Sequence, residues 1–199
     1  MKVLIIGGVA AGTKTAAKVK REQPSAQVTL ITKSADVSYA GCGLPYYVGD
    51  VIHDKASLIV NTPESFSELT GVQVITLTEA VKVDRTLKTV TAKHVVSGEE
   101  HTYPYDKLVI ASGASPVTPP VDGVDLNGVY YMRTPADAIA VREAVDGGKV
   151  KRAVVVGAGF IGLEVAENLA ARGVMVSVLD MAPQILPGFD KEMADRKSV

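Results

Sequence analysis

The spacing of apolar positions changes along this chain, and each spacing predicts a different element. Lys2 to Ile6 (KVLII) is apolar without alternation, the pattern of a parallel strand covered on both faces. Past the turn Gly7-Gly8-Val9-Ala10-Ala11-Gly12, Thr13 to Glu22 reads as a helix ending before Pro24, and Gln27 to Ile31 as a second strand. Thr62 to Leu69 reads as a helix with Pro63 in its first turn. Between Val72 and Tyr103 the runs shorten to VQVITLT, AVKVD, TVTAKHVV and EEHTYPY, split by Asp-Arg and Ser-Gly-Glu-Glu, which predicts an antiparallel meander over about 72–103. Lys107 to Ala111 returns to the buried parallel pattern. The Pro- and Gly-rich stretch GASPVTPPVDGVDLNG reads as a linker. A helix follows at Ala136 to Val145, then a third apolar strand at Arg152 to Val156. The turn Gly157-Ala158-Gly159-Phe160-Ile161-Gly162 leads into a helix over Leu163 to Arg172, stopped by Gly173, and a strand at Met175 to Leu179. The opening strand–turn–helix–strand pattern thus recurs about 150 residues later, which is a duplication of units rather than a short-period array.

A strand that enters a Gly-rich turn and then a helix brings backbone N–H groups and the positive helix end close to a pyrophosphate. The expected fold class is therefore α/β, with two Rossmann-like dinucleotide-binding units: a parallel sheet with helices, a β meander inserted in the first, and the second incomplete. The later turn has all three glycines, Gly157, Gly159 and Gly162, and Asp180 closes its second strand. A carboxylate there accepts hydrogen bonds from a ribose 2′-hydroxyl and repels a 2′-phosphate, and the following Met181 and Ala182 offer no cation. NADH is favoured over NADPH. The first turn keeps Gly7 and Gly12, with Val9 where the middle glycine belongs and Thr32 where the acid is expected; Thr32 still hydrogen-bonds a ribose, more weakly than a carboxylate.

Composition narrows the picture. The chain has 199 residues, 47% of them apolar, which suits one or two packed domains. Lys plus Arg total 21 against 22 Asp plus Glu, so no overall field attracts nucleic acid or an anionic membrane. One cysteine, Cys42, excludes an internal disulfide. No apolar run is long enough to span a bilayer. The apolar start is followed at once by Lys14, Lys18, Lys20 and Arg21, so it reads as a strand entering a helix rather than a leader, and a cytoplasmic protein is expected. His53, His94 and His101 do not cluster with each other or with Cys42, so neither a metal site nor a Ser-His-Asp arrangement is expected.

Two dinucleotide units joined by a meander, with a cysteine soon after the first, resemble the FAD-dependent pyridine nucleotide–disulfide oxidoreductases. DVSYAGCGLPYYVGD (residues 36–50) is similar to the single-cysteine class: coenzyme A disulfide reductases, NADH oxidases, peroxidases and persulfide reductases. DKLVIASGASP resembles the family's flavin-side segment, with Ser112 where Thr is usual, and GAGFIGLEVAENLAARGVMVSVLDMAPQILP resembles its NADH-binding segment. The resemblance implies an FAD-binding domain at 1–115 and the first part of an NADH-binding domain at 116–199. FAD would lie along Gly7, Gly8, Val9, Gly12, Thr32 and Lys33, with the Val81 backbone, Ser112 and Gly113 completing the pocket. NADH would lie on Gly157, Gly159, Gly162 and Asp180. The rest of the NADH unit, a flavin-covering Gly-Asp segment and a C-terminal dimerisation domain would follow in the whole protein, a homodimer.

Dithiol members of the superfamily carry Cys-x4-Cys. Here the second position is Tyr47, which leaves a mixed disulfide with a small thiol or a sulfenic acid as the redox form of Cys42. Both need a thiolate, and Cys42 precedes Gly43-Leu44-Pro45, a helix start of the kind that lowers a thiol pKa. Lys14, Lys18 and Arg21, at i, i+4 and i+7, put three cations on one helix face. By the resemblance that face and Ser38 lie near the substrate, where a coenzyme A tail would suit them; a solvated basic face is the other reading. Gly41 stands where some relatives carry Asn. The expected activity is electron transfer from NADH through FAD to a disulfide or persulfide, coenzyme A disulfide foremost, at Cys42. The alternatives are an NADH oxidase or peroxidase using a Cys42 sulfenic acid, and a non-catalytic nucleotide-binding fragment.

Overall fold

The computed structural model of the chain describes residues 1–195. They form two units: Met1–Tyr39 with Ile59–Ala114, and Ala40–Leu58 with the chain from Ser115 onward.

In the first unit, β1 (Lys2–Ile6), β2 (Gln27–Ile31), β3 (Gln73–Ile75) and β7 (Lys107–Ile110) make a parallel sheet in the order β3-β2-β1-β7. The continuous apolar runs are explained by cover on both faces. Val3 and Ile5 of β1 join Val28 and Leu30 of β2 in packing against Ala16 of α1 (Ala10–Glu22) and Phe66 of α3 (Pro63–Thr70). The alternate residues Leu4 and Ile31 pack with Val90 and Ala92 of a three-stranded antiparallel sheet of β4 (Thr78–Asp84), β5 (Thr89–His94) and β6 (Glu100–Pro104). The helix expected behind Pro63 is fixed at both ends. Thr62 Oγ1 accepts from the Ser65 amide at 3.2 Å, and Gly71 closes it in the left-handed region at φ 71°.

The meander expected from residue 72 begins later. Residues 73–75 pair parallel with β2, Leu30 opposite Val74, and belong to the main sheet. The reason is α3, which carries the chain back along the sheet as a crossover and so makes the next strand parallel. Both glycine-turn helices also start three residues before their expected beginnings, at Ala10 and Phe160, so Gly12 and Gly162 lie inside the first turn of helix.

In the second unit, β8 (Arg152–Val156) and β9 (Met175–Leu179) pair in parallel. The inner positions Ala153, Val155 and Val176 pack with α4 (Pro135–Asp146) and α5 (Phe160–Ala171) around Ala138, Val165 and Leu169. A capping box between Thr134 and Asp137 starts α4. The sequence reading draws one boundary at 115/116. In the structure residues 40–58 pack with the later segment, because α2 (Leu44–Val48) inserts Leu44, Tyr47 and Val48, with Leu58, into that core. A short helix α6 (Lys191–Asp195) ends the described chain. No described helix is long and apolar enough to cross a membrane.

Candidate functional site

The first glycine turn lies at the carboxyl end of β1. Gly7 sits at φ 112°, and a Cβ there would fall 2.1 Å from the carbonyl oxygen of Ala111. A Cβ on Gly12 would fall 1.8 Å from the Gly7 oxygen. These two positions demand glycine, one for conformation and close strand approach, the other for helix-to-strand packing. Val9 occupies the N-cap of α1 and no side chain caps the helix, so its first-turn amides are available to an anion. Beside the turn, Thr32 is buried with its methyl against Gly8, and its hydroxyl accepts from the Ser34 amide at 3.4 Å. That bond leaves the hydroxyl proton free to donate. Ser38, in the left-handed region at φ 52°, donates its amide to the Gly8 oxygen at 2.8 Å and accepts from Asn61 Nδ2 at 3.3 Å. The Ser112 amide lies 3.3 Å from the place a Gly7 Cβ would take, and Gly113 follows at φ 71°. The chain thus brings Gly7, Gly8, Val9, Gly12, Thr32, Ser38 and Ser112 to the carboxyl end of the parallel strands. Lys33 instead reaches Glu79, 3.6 Å away, at an exposed surface. Val81 is the residue bulged between Ala80 and Lys82 in β4, with its side chain in solvent.

The second turn repeats the first. Gly157 is at φ 105°, and a Gly162 Cβ would meet the Gly157 oxygen at 1.8 Å. Gly159 is the N-cap of α5, again without a side-chain cap, and a Cβ there would meet nothing within 4 Å. Both turns therefore fit a dinucleotide: uncapped donors at a helix start and, at Gly159, open space. Asp180 does more than the sequence reading asks. One carboxylate oxygen accepts from the Ala158 amide at 2.6 Å, the other from Ala182 at 2.7 Å. These backbone bonds, Ala158 foremost, hold its carboxyl below the usual range. The Ala158 carbonyl in turn accepts from the Leu186 amide at 2.9 Å. Asp180 is a strut of the turn, with lone pairs left for a ribose.

Cys42 lies in a single 3-10 turn, Gly41–Gly43, directly before α2, and is exposed. Tyr47 is buried, its ring 4.5 Å beneath the Arg142 guanidinium. The far end of α2 is held by two arginines that local sequence reading does not reveal. Arg142 Nη1 donates to the Tyr47 and Ile52 carbonyls at 3.0 and 2.8 Å, and Nη2 binds Asp50. Arg172 donates to the Val48 carbonyl at 3.2 Å and to Asp146 at 2.5 Å, and Asp146 also lies 3.5 Å from Arg142 Nε. The only sequence signal is the i, i+4 spacing of Arg142 and Asp146.

The three cations of α1 do not form a free set. Lys18 Nζ is 2.7 Å from Glu22, while Lys14 and Arg21 are exposed on the same helix. His53 pairs with Asp50, His101 with Glu99, and His94 accepts from the Ser97 amide.

The family model described as Pyridine nucleotide-disulphide oxidoreductase matches residues 1–198. The chain is 37% identical to an NADH oxidase of Methanocaldococcus jannaschii over 98% of its own length and 44% of the relative's. It is 38% identical to the NAD(P)H coenzyme A polysulfide/persulfide reductase of Pyrococcus horikoshii, covering 98% of this chain and 43% of that one. The solved structure of a NAD-dependent persulfide reductase from A. fulgidus superposes with a TM-score of 0.92 at 39% identity, over 98% of this chain and 37% of that one. The chain therefore spans less than half the length of these relatives.

Proposed function

Because the chain belongs to the pyridine nucleotide-disulphide oxidoreductase family, we propose that the whole protein passes electrons from NADH through FAD to a disulfide or persulfide of the coenzyme A type, with Cys42 as the exchanging thiol. The observation that carries this reading is Cys42 itself. It is the chain's one thiol, exposed, with a buried tyrosine where a partner cysteine would stand. Within these residues the sulfur has no cysteine to pair with and is open to a thiol from outside. The persulfide reductase names of two of the relatives agree with it.

In this reading Gly7, Gly8, Val9 and Gly12 would receive the FAD pyrophosphate on the α1 amides, with Thr32 beside the adenosine; Lys33, 3.6 Å from Glu79, would have to leave that carboxylate to join it. The Val81 backbone, Ser112 and Gly113 complete that pocket. Gly157, Gly159, Gly162 and Asp180 receive NADH, the carboxylate selecting a free 2′-hydroxyl. The flavin supplies two-electron transfer from the nicotinamide to sulfur when bound. Cys42 begins as the mixed disulfide Cys42–S–S–R. Two electrons and one proton break its S–S bond, releasing RSH and leaving the Cys42 thiolate. That thiolate attacks the next R–S–S–R, forms Cys42–S–S–R again and expels RS⁻, which takes up a proton. The sum is one NADH and one proton consumed, with two RSH formed. Lys14 and Arg21 attract the phosphates of R, and Ser38 lines the approach; Lys18 contributes less, being paired with Glu22. A homodimeric, cytoplasmic enzyme belongs to the same reading.

The test is Cys42→Ser in the whole protein. The purified variant keeps a flavin absorption band that bleaches with NADH, while NADH-driven turnover of coenzyme A disulfide and persulfide falls to background. Disulfide turnover that survives the substitution overturns the reading. The 37% identical NADH oxidase favours a second reading, reduction of oxygen or peroxide. It predicts NADH oxidation by oxygen or peroxide in the absence of any disulfide. Absence of a flavin band from the isolated 199-residue chain would support the third reading, a non-catalytic nucleotide-binding fragment.

A further inference from the structure

The segment that carries Cys42 cannot position itself. Helix α2 has five residues, far fewer than a helix needs to persist alone. Its last carbonyls have few partners within the helix, as at every helix end. In this chain two guanidinium groups supply them. Arg142 comes from α4 and takes the carbonyls of Tyr47 and Ile52; Arg172 follows α5 and takes that of Val48. Two cations at the carboxyl end of a helix also complement its negative pole. Asp146 stands between the arginines and binds both, and Asp50, just past α2, closes the ring on Arg142. A third contact presses the same end against α5: a Cβ on Gly49 would lie 1.9 Å from Asn168 Oδ1. Arg142 and Arg172 are largely buried, unlike the Lys18–Glu22 pair at the surface. A fork of fixed geometry that meets two backbone carbonyls and a carboxylate at once fixes position, which a point charge does not.

We propose that Arg142 and Arg172, bridged by Asp146, are positioning residues for Cys42: they lock the carboxyl end of α2 onto α4 and α5, so the thiol at its other end is held to the body that carries the second glycine turn. The proposal takes from the proposed function only that Cys42 is the reacting group.

The experiment uses the whole protein and two readouts. The first is backbone hydrogen exchange over residues 44–52, which needs no turnover. In the parent these amides are protected. In Arg142→Met/Arg172→Met protection falls by about tenfold or more while that of β1 and β2 is unchanged. Arg142→Lys/Arg172→Met restores little of it, since one ammonium cannot reach both carbonyls and Asp50. The second readout separates two half-reactions. The positioning role predicts that flavin reduction by NADH keeps its rate while electron transfer onward to the disulfide slows by about tenfold or more. Unchanged protection, full restoration by lysine, or equal slowing of both half-reactions overturns the proposal. If the double variant fails to fold, Gly49→Ala perturbs the same end without removing a charge and is expected to give the same local loss of protection. Exchange results stand whether or not Cys42→Ser abolishes turnover, so failure of the clamp and failure of the functional reading are told apart.

Discussion

Replacing Gly159 and Gly162 by alanine, one at a time, separates what a glycine does for the fold from what it does for a ligand. At Gly162 the new Cβ would lie 1.8 Å from the Gly157 oxygen and 3.0 Å from its carbon. The neighbour is backbone at the end of a strand, so helix or turn must shift by more than an ångström. Overpacking of this kind costs about 1–3 kcal/mol, and a rigid backbone neighbour puts it near the upper figure. For a chain of this size that lowers the unfolding midpoint by roughly 6–12 °C. At Gly159 the backbone angles, φ −78° and ψ −175°, suit alanine, and a Cβ meets nothing within 4 Å. An alanine N-cap loses about 0.5–1 kcal/mol relative to glycine. The smaller entropy of the unfolded chain returns about 0.4–1 kcal/mol. The two nearly cancel, and the midpoint should move by less than about 2 °C. If the turn cradles a pyrophosphate, however, that methyl stands in the approach to the α5 amides. The dissociation constant for NADH should then rise at least tenfold, about 1.4 kcal/mol. Circular dichroism melts and an NADH fluorescence titration read both quantities. Undiminished NADH binding by Gly159→Ala, or a midpoint loss as large as that of Gly162→Ala, refutes the reasoning.

Two further outcomes follow from the charges and from the β8–β9 pair. The carboxyls of Asp180, Asp146, Asp50 and Asp106 are held below their ordinary value of 3.8, chiefly by the Ala158 amide, Arg172, His53 and the Lys2 amide respectively. A depressed carboxyl contributes stability that is fully present above its unfolded value and is lost as pH falls through the folded one. The melting midpoint should therefore decline below about pH 4, and Asp180→Asn should lower it at pH 7 while flattening that decline; an identical acid profile in the variant would reject the role of Asp180. Val154, Val156, Met175 and Leu179 share one face of β8–β9 and are 67, 72, 69 and 60% exposed, which is unusual for parallel strands. The isolated 199-residue chain should bind a hydrophobic dye and self-associate in light scattering, and Val154→Lys/Val156→Lys should suppress both; a monodisperse, dye-silent parent would count against it.

Much of the fold is legible in single runs of sequence. β1, β2, β8 and β9 stand where their short apolar-rich runs predict, because each is bounded by a glycine turn or polar residues; β1 and β2 are covered on both faces, β8 and β9 on one. VQVITLT is different. Alternation identifies a strand but carries no direction, and only the preceding crossover helix makes residues 73–75 parallel to β2. The glycine turns read three residues too long for a related reason: Gly12 and Gly162 look like turn residues, yet they are interior to helices, where their lack of a side chain admits a carbonyl. The clamp on α2 is illegible in principle. Arg142 and Tyr47 are 95 positions apart, and no local pattern announces a guanidinium that caps a distant helix. Lys18 errs the other way: its i, i+4 pairing with Glu22 is written in the sequence, but the face it shares with Lys14 and Arg21 looks like a ligand surface.

A thiol that trades partners with outside disulfides meets two opposed demands, an accessible sulfur and an immobile backbone. Residues 41–49 divide them within nine positions. Gly41 and Cys42 are exposed, while Leu44, Pro45, Tyr47 and Val48 are buried. Gly43 makes the division possible, because a side chain there would press on Ile52, 3.1 Å from the place its Cβ would take. The ends of the excursion are zipped as well: Tyr39 bridges Ile59, the Ala40 amide donates to the Leu58 carbonyl at 2.7 Å, and Val60 donates to Ser38 at 3.0 Å. A cysteine kept merely as a small apolar residue would sit on the buried side of this division, where free cysteines are usually found. Its place on the exposed side, against an anchored helix, is what a reacting sulfur requires.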